Sequence, residues 1–385
     1  MKIAIPRECR SGETRVAASP EVVKKLTGFG FDVAVEKGAG EAAAITDANF
    51  KDAGATIAED ATATYKDADM VLKIQRPVTE GADSYQNELS LIKKGAVVLA
   101  YMAALTHKED VAAMAEAGIT AFAMELMPRI TRAQSMDILS SQSNLAGYKA
   151  VLDGAAEYGS AFPMMMTAAG TVPPAKVFIM GVGVAGLQAI ATAKRLGAIV
   201  TATDVRPATK EQVESLGGKF LEVDPEMEKN AQTEGGYAKE MPPEYFEKQK
   251  QVVSEHIKSQ DLVITTALIP GRSAPVLVTE DMVKTMKHGS VIVDLAVEAG
   301  GNCPLSQLGE VVVKHGVTLV GYDNVPGRLA KDASLLFAKN LLNFLSPHVD
   351  QEKKDLNFDW EDETVAGTLL CRDGKVIHPM LTGGE

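Results

Sequence analysis

Residues 176–204 read KVFIMGVGVAGLQAIATAKRLGAIVTATD, and this stretch decides the fold. The apolar run Val177–Met180 predicts a buried strand, the glycines of GVGVAG predict a tight turn, and Gly186–Arg195 predicts a helix. A second apolar run, Ile199–Thr203, predicts the next strand. Strands that alternate with helices in this way form a mainly parallel sheet with helices on both faces.

The glycines of this turn, Gly181, Gly183 and Gly186, match the GxGxxG pattern of dinucleotide-binding folds. The first glycine allows the tight turn, and the second lets a pyrophosphate approach the backbone. The third lets the helix pack closely on the strand, and the helix N-terminus offers N–H groups to the phosphates. Glycine-rich turns are common, so a purely structural turn is the alternative. The strand before and the helix after favour a dinucleotide site.

Asp204 stands at the end of the second strand, where an acidic residue binds the ribose hydroxyls of NAD and repels a 2′-phosphate. Arg206 lies close enough to favour NADP instead. Because the carboxylate stands at the strand end itself, we expect NAD(H) as the cofactor.

Outside this stretch, short apolar runs again alternate with helical patterns. The predicted strands are Lys2–Ile5, Asp32–Glu36, Met70–Ile74, Ala96–Tyr101, Thr120–Glu125, Lys219–Val223, Leu262–Thr266, Val291–Leu295 and Thr318–Val320. Predicted helices start near Pro20, Asp47, Asn87, Lys108 and Thr209. Asp373 and Gly374 predict a hairpin turn near the C-terminus.

The chain of 385 residues exceeds the usual size of a single core, so we expect two domains. Two long helical patterns, Gln134–Gly159 and Asp332–Leu345, are placed to join them. We therefore predict an α/β protein of two Rossmann-like doubly wound parallel-sheet domains joined by long helices, with the cofactor in the cleft between them. The predicted domains are residues 1–136 with 328–385, and residues 137–327.

The composition argues against several functional classes. A net charge of −12 argues against a general nucleic-acid surface, which needs an excess of Lys and Arg. Cys9, Cys303 and Cys371 suit a reducing compartment, and their spacing resembles no metal site, so we expect no metal. The apolar segment 177–193 is shorter than the ~20 residues of a membrane span, so we expect none. The N-terminus MKIAIPRE does not resemble a secretory signal.

A polar cluster opens the first long helix, in the segment 124–151, MELMPRITRAQSMDILSSQSNLAGYKAV. Gln134, Asp137 and Ser140 recur at spacings that place them near one another along a helix face, and Arg129 precedes them. Thr131 with Gln134 fits a capping box, and the interior Gly147 costs about 1 kcal/mol. From the residues alone, a cluster that holds a ligand and a merely capped, solvated helix end remain open.

Two further segments lack helix and strand patterns. Residues 163–174, PMMMTAAGTVPP, predict a loop. Residues 224–250 are charged and nearly free of aliphatic side chains. They form either a solvated insertion or a mobile loop, with Tyr237 beside Gly235 and Gly236 at its tip.

Longer motifs carry a family resemblance. The motifs PRE, ETRVA, VEKGAG, DADMVLKIQRP, GVGVAG and VDLAVEAGG resemble the alanine dehydrogenase and transhydrogenase family along the whole chain. Within that family, PRITRAQSMDILSSQSNLAGYKAV, MMMTAAGTVPPA, EGGYAKEM, TTALIPG and DLAVEAGGNCPL are similar to the NAD(H)-binding alpha subunit component (domain I) of proton-translocating NAD(P) transhydrogenases. The similarity is to the form in which this component is a separate polypeptide.

The resemblance implies direct hydride transfer between NAD(H) on this chain and NADP(H) on a partner domain, of the Si-Re-specific type. Separate membrane subunits would couple this transfer to proton translocation. A homodimer is implied, located peripherally on the cytoplasmic face of the inner membrane through its partners. Nicotinamide-positioning roles are implied for Arg129, Gln134, Asp137 and Ser140. Cofactor contacts are implied for Gly181, Gly183, Val184, Gly186, Asp204, Val205, Arg206, Tyr237, Ala267, Leu268 and Glu298.

The sequence also departs from the alanine dehydrogenases of this family. They carry a substrate lysine where Gln75 stands and a catalytic histidine about where Met102 stands, and their catalytic aspartate aligns approximately with Glu298. Arg15, which binds the substrate carboxylate in those enzymes, is retained, although inherited packing is the alternative for it. His107 lies near Met102 in sequence, but we interpret it as an exposed residue at a helix start.

These departures bear on the reaction. Oxidation of an amino acid moves a proton as well as a hydride, so it needs an acid/base group. Exchange of a hydride between two nicotinamide rings needs only that the reacting atoms be held about 3–3.5 Å apart. The departures therefore favour a transhydrogenase. An alanine-dehydrogenase-like oxidoreductase and a non-catalytic NAD-binding module are the alternatives.

Overall fold

The chain divides into residues 1–142 with 326–385 (unit 1) and residues 143–325 (unit 2). The computed structural model describes residues 1–79, 86–228, 231, 241–269 and 271–383. The predicted division, at 136/137 and 327/328, remains a prediction beside these observed limits. The first observed limit falls inside a helix, so no loop in the sequence marks it.

The N-terminal part of unit 1 alternates strands with helices. Its strands are β1 Lys2–Ile5, β2 Asp32–Glu36, β3 Thr56–Ala58, β4 Met70–Gln75, β5 Val97–Tyr101 and β6 Thr120–Ala123. Its helices are α1 Pro20–Gly28, α2 Asp47–Asp52, α3 Ala61–Tyr65 and α4 Lys108–Glu116. Ser19 caps α1 by accepting from the Val22 N–H, with Pro20 at the first helical position.

Helix α5, Ile138–Glu157, begins in unit 1 and continues into unit 2. The strands that follow are β7 Met165–Thr167, β8 Gly170–Val172, β9 Lys176–Met180, β10 Ile199–Thr203, β11 Lys219–Phe220, β12 Leu262–Thr265, β13 Val291–Asp294, β14 Val311–Lys314 and β15 Val317–Val320. The helices are α6 Val184–Arg195, α7 Thr209–Ser215, α8 Pro225–Glu228, α9 Pro243–Ile257 and α10 Glu280–Thr285.

The C-terminal part returns to unit 1. It comprises α11 Ala330–Leu345, β16 Val349–Asp350, β17 Asp355–Leu356, α12 Glu363–Thr368, β18 Leu369–Arg372, β19 Lys375–Val376 and α13 Pro379–Thr382. Asp373 and Gly374 join β18 to β19 with positive φ angles of 53° and 78°, so the predicted hairpin turn is confirmed. Helix α11 buries Phe337, Leu341 and Phe344 in the unit 1 core.

The unit 1 sheet has the strand order β19-β18-β6-β5-β4-β1-β2-β3. Strands β1 to β6 are parallel, and β18 and β19 add antiparallel strands beside β6. The order of β1 to β6 is that of a doubly wound Rossmann fold. On the face covered by α11, Phe122 of β6 packs against Phe344, with ring centroids 5.5 Å apart.

The unit 2 sheet has the order β11-β10-β9-β12-β13-β15-β14, parallel except for β14. The direction of winding reverses between β9 and β12. In such sheets, ligands bind at the carboxyl ends of the strands that flank this reversal. The fold prediction of two Rossmann-like parallel-sheet domains is therefore confirmed. Among the described residues, no helix has both the length and the apolar surface to cross a membrane.

The structure corrects the prediction of one helix over 134–159. Residues Thr131–Met136 form a 3-10 helix, and α5 begins only at Ile138. The Asp137 carboxylate caps α5 by accepting from the backbone N–H of Ser140 at 2.9 Å, whereas no side chain caps the 3-10 helix. An aspartate at this position satisfies a helix N–H that otherwise has no partner. The capping box predicted for Thr131 and Gln134 was wrong, because the helix begins after these residues and neither side chain caps it.

The prediction of a loop over about 224–250 was also partly wrong. Helix α8 covers Pro225–Glu228, and α9 begins at Pro243. Tyr245, Val253 and Ile257 are the buried residues of α9, and this narrow apolar stripe is easily missed in a charged sequence. The predicted loop tip, Tyr237, lies outside the described residues.

Two further local predictions were wrong. The segment predicted as a loop over 163–174 contains the antiparallel hairpin of β7 and β8. This hairpin has exposed methionines instead of the alternation that marks a half-buried strand. Near Asn87 only a short 3-10 helix, Leu89–Leu91, forms.

Candidate functional site

The glycine turn between β9 and α6 has the geometry that the motif predicts. Gly181 has a φ of 98°, and a Cβ added there would lie 2.5 Å from the Thr266 hydroxyl. A Cβ at Gly186 would lie only 1.9 Å from the Gly181 carbonyl oxygen, whereas a Cβ at Gly183 would meet open space. The turn is therefore tight at its first and third glycines and open at its second. This arrangement fits the approach of a pyrophosphate to the backbone and to the first turn of α6.

Asp204 lies beside this turn at the end of β10. Its Oδ2 accepts from the Val182 N–H at 2.7 Å, which ties the aspartate to the glycine turn. Arg206 donates to both carboxylate oxygens, from Nε at 2.8 Å and from Nη2 at 2.7 Å. These hydrogen bonds raise the pKa of Arg206. Asp204, which is predicted to bind the ribose of NAD(H), is therefore paired with Arg206, the residue that would instead favour NADP(H).

The segment after β12 forms the other side of the winding reversal. The Thr266 hydroxyl donates to the Gly181 carbonyl oxygen at 3.0 Å, so this segment lies against the glycine turn. Next to it, Leu268 exposes 57% of its surface. An exposed apolar residue beside the glycine turn fits a ligand that has both flat and charged parts. The predicted residues Ala267 and Leu268 thus lie at this edge.

The other predicted cofactor residues of unit 2 are more dispersed. Val184 is the first, exposed residue of α6, and Val205 packs beside Met241 and Tyr245. Glu298 is exposed after β13 and accepts from the Asn324 N–H at 2.6 Å.

The predicted nicotinamide-positioning residues lie in unit 1, around the start of α5. Asp137 accepts from the Ser140 hydroxyl at 2.6 Å as well as from its N–H, so these two side chains form one hydrogen-bonded pair. Gln134 is exposed in the preceding 3-10 helix, and Arg129 is exposed before it. A carboxylate and a hydroxyl held together in this way can accept and donate hydrogen bonds to a carboxamide or a ribose.

Arg15 is largely buried in unit 1. It donates to Glu13 from Nε at 2.8 Å and from Nη2 at 2.7 Å, and Nη1 donates to Gln142 at 2.9 Å. The Gln75 amide donates to the same glutamate at 3.1 Å. Burial opposes ionisation of Glu13, but the hydrogen bonds from Arg15 outweigh it, so the pKa of Glu13 is lowered. The charges of this network compensate one another internally.

The two departures from the alanine dehydrogenase pattern lie close by in the sheet. Gln75 ends β4, and Met102 is buried after β5. His107 is exposed at the start of α4, as its sequence context predicts, and its Nδ1 lies 3.0 Å from the Thr106 hydroxyl.

A buried charged cluster in unit 1 was not predicted from the sequence. Lys73 of β4 is fully buried, with Nζ 2.7 Å from a Glu88 oxygen and 3.3 Å from a Glu8 oxygen. The Tyr65 hydroxyl also donates to Glu88, at 2.8 Å. Burial raises the pKa of Glu8 to about 7. A lysine inside the apolar strand MVLKIQ was the available signal for this cluster.

Two protein-family models together match nearly the whole chain. Residues 4–146 match the model "Alanine dehydrogenase/PNT, N-terminal domain", and residues 150–379 match "Alanine dehydrogenase/PNT, C-terminal domain". The chain belongs to the alanine dehydrogenase/PNT family.

Relatives within the alanine dehydrogenase/PNT family differ in their similarity to this chain. It is 65% identical over 383 residues to the first component of the NAD(P) transhydrogenase alpha subunit of Rhodospirillum rubrum, covering 100% of this chain and 99% of the relative. It is 32% identical to alanine dehydrogenase 2 of Staphylococcus aureus over 343 residues, covering 87% of this chain and 84% of that protein. A solved transhydrogenase structure from Sinorhizobium meliloti matches with a TM-score of 0.88 and 53% identity, covering 98% of this chain and 100% of that one.

Proposed function

We propose that this chain is the NAD(H)-binding subunit of a proton-translocating NAD(P) transhydrogenase of the Si-Re-specific type. The observation that carries the proposal is the full-length similarity to a transhydrogenase alpha subunit, at twice the identity found for an alanine dehydrogenase. The dinucleotide edge of unit 2 supports it, because the glycine turn and Asp204 fit the phosphates and ribose of NAD(H).

The residues of the chain would hold the cofactor and would not transfer protons. The open approach at Gly183 and the N–H groups at the start of α6 receive the pyrophosphate. Asp204 accepts from the adenosine ribose hydroxyls and disfavours the 2′-phosphate of NADP(H). Asp137, Ser140, Gln134 and Arg129 orient the nicotinamide end, whose ring supplies the hydride chemistry when bound. Fixing the geometry of two reactants in this way accounts for much of the rate of a direct transfer.

The proposal includes partners. An NADP(H)-binding domain would present the second nicotinamide, and membrane subunits would carry the protons, so that this chain is held peripherally on the cytoplasmic face of the membrane. The proposed homodimer is supported by the β7–β8 hairpin, where Met164, Met165 and Met166 are exposed. Exposed apolar patches of this kind mark interaction surfaces.

The proposal is tested by reconstitution. Membranes stripped of this subunit are assayed for hydride transfer from NADPH to the acetylpyridine analogue of NAD, with and without the purified chain. We expect transfer only after the chain is added back. If the chain binds NADH tightly but restores no transfer, the proposed reaction is wrong.

Retention of Arg15 favours one alternative, an alanine-dehydrogenase-like oxidoreductase. Arg15 already donates hydrogen bonds to Glu13 and Gln142. A substrate carboxylate would therefore have to compete with the Glu13 carboxylate for this arginine. Turnover of NADH with pyruvate and ammonium would support this alternative. We expect no turnover, because Gln75 and Met102 supply no acid/base group.

A non-catalytic NAD-binding module is the other alternative. It predicts NADH binding without hydride exchange in any assembly, so the reconstitution assay also separates it from the proposed function.

A further inference from the structure

One buried side chain in unit 2, Asn302, holds both ends of the segment 267–275. Its Oδ1 accepts from the Ala267 N–H at 3.0 Å. Its Nδ2 donates to the Ala267 carbonyl oxygen at 2.9 Å and to the Pro275 carbonyl oxygen at 2.8 Å. The residue is 0% exposed, so water cannot replace these hydrogen bonds. Both N–H donors and the oxygen of the Asn302 amide therefore hold the backbone at Ala267 and Pro275.

Asn302 is itself held by a buried carboxylate. Asp294, at the end of β13, accepts from the Asn302 backbone N–H at 3.1 Å and from the Cys303 N–H at 3.0 Å. It also accepts from the Ala296 N–H at 3.0 Å and from the Thr265 hydroxyl at 3.1 Å. A carboxylate with four donors around it is well satisfied without a cation. Asp294 thus fixes the turn that presents Asn302.

The Ala267 end of this segment adjoins the glycine turn. Thr266, the residue before Ala267, bonds to Gly181 through its hydroxyl, and its N–H donates to the Met180 carbonyl oxygen at 2.9 Å. A Cβ at Gly181 would lie 3.4 Å from the Ala267 nitrogen. The backbone at Ala267 therefore borders the space above the winding reversal of the sheet, where a dinucleotide binds.

We propose that Asn302 is a positioning residue that holds the Ala267 backbone in its cofactor-binding place before the cofactor arrives, with Asp294 acting through it. This inference rests on the proposed function, since it deepens the NAD(H) site of unit 2. Prior ordering of a binding segment increases affinity, because the cost of ordering is not incurred on binding.

The test is Asn302→Asp, which changes the shape of the side chain very little. It places a carboxylate oxygen against the Ala267 and Pro275 carbonyl oxygens, so both lose their donor and meet a negative charge. At pH 8.5 we expect the Kd for NADH to rise at least about tenfold. Burial and the neighbouring Asp294 raise the pKa of the introduced carboxyl group. Near pH 6 its protonated form donates one hydrogen bond, and we expect the Kd to recover part of the way.

The matched control is Gln260→Glu, the same amide-to-carboxylate change at another buried residue of unit 2. Gln260 bonds to the His256 carbonyl oxygen and the Ser259 hydroxyl, away from the segment 267–275. It should lower the melting temperature without a change in the Kd for NADH. Thr265→Val removes one donor to Asp294 and serves if Asn302→Asp does not fold. Thr265→Val should also raise the Kd for NADH, by a smaller factor than Asn302→Asp.

The outcomes separate two failures. Wild-type protein that does not bind NADH overturns the proposed function. Wild-type protein that binds NADH, together with an Asn302→Asp or Thr265→Val variant of unchanged Kd, overturns only the positioning role. A Kd that rises equally in Gln260→Glu also overturns that role, because the effect is then one of general stability.

Discussion

At the scale of single residues, the ion pair of Asp204 and Arg206 changes how the end of β10 should select its cofactor. Each carboxylate oxygen of Asp204 already accepts two hydrogen bonds. Oδ1 accepts from the backbone N–H and Nε of Arg206, and Oδ2 accepts from the Val182 N–H and from Nη2 of Arg206. The arginine compensates part of the negative charge with which Asp204 repels a 2′-phosphate. The ribose hydroxyls of a cofactor must share or displace its hydrogen bonds.

We therefore predict that Arg206→Gln increases the preference for NADH over NADPH. The uncompensated carboxylate should bind ribose hydroxyls more freely and repel the 2′-phosphate, a change of about three- to tenfold in the ratio of the two Kd values. Titration of both nucleotides measures it, with exposed Arg195→Gln on α6 as the control. An unchanged ratio would show that Arg206 does not affect discrimination.

Asp137 allows helix capping to be separated from cofactor positioning. Asparagine caps a helix about as well as aspartate, so Asp137→Asn should leave the melting temperature nearly unchanged. We expect the rate of hydride transfer in reconstituted membranes to fall about tenfold or more, because the charge proposed to orient the nicotinamide end is lost. If the rate is unchanged, Asp137 is only the cap of α5.

At the scale of elements, helix α5 packs on the first turn of α6 through Gly147. A Cβ at Gly147 would lie 2.0 Å from the Ala185 carbonyl oxygen, so this glycine permits a close approach of two backbones. The expectation of a mild defect, drawn from helix propensity, missed this packing.

We predict that Gly147→Ala destabilises the protein by about 1–3 kcal/mol through overpacking and weakens NADH binding, because α6 follows the turn proposed to bind the phosphates. Thermal unfolding and NADH titration measure the two effects. Gly159→Ala is the control, since a Cβ there meets nothing within 4 Å. Equal stability of the two variants would contradict the packing argument.

The buried cluster of Lys73 links β4 to the segments that follow β1 and precede Leu89. Glu8 accepts from the Ile74 N–H at 2.7 Å and faces Lys73, Glu88 and Glu13. Because burial raises the pKa of Glu8 to about 7, its contribution to stability is full below about pH 4.5 and is lost as the pH rises through about 7.

Glu8→Gln should remove this loss. Between pH 6 and pH 8.5 we expect the free energy of unfolding of the wild type to fall relative to that of the variant, by on the order of 1 kcal/mol. Denaturant unfolding at both pH values measures the difference, with exposed Glu59→Gln as the control. Parallel pH profiles would mean that Glu8 stays ionised throughout.

The elements that the sequence predicts well are those whose signal is local. Buried parallel strands such as Ile199–Thr203 are continuous apolar runs, and the roles of Gly181 and Gly186 follow from a turn of six residues. Helix α9 was missed because its apolar stripe is narrow within a charged sequence. The bonds of Asn302 were not predictable, because they join residues 27 and 35 positions apart in the chain.

At the scale of the whole molecule, the proposed homodimer gives a testable role to the β7–β8 hairpin. Met166 exposes 77% of its surface there. We predict that Met166→Asp yields a monomer at micromolar concentration, because burying an unpaired charge at an interface is costly. Sedimentation measures the mass. Val313→Asp, at an exposed position of β14, should leave the dimer intact, and a dimeric Met166→Asp would exclude the hairpin from the interface.

The division of unit 1 between the two ends of the chain sets an order for events during synthesis. Residues 1–142 leave the ribosome without α11 and β18, and Phe122 then lacks both Phe344 and Phe358 as packing partners. At about 5–20 residues synthesised per second, this sheet face remains uncovered for on the order of tens of seconds. The continuous unit 2 can complete its own core in that interval. Nascent chains arrested far enough past residue 325 for all of unit 2 to have left the ribosomal exit tunnel, with α11 still inside it, should therefore protect unit 2 from protease while unit 1 is still cleaved.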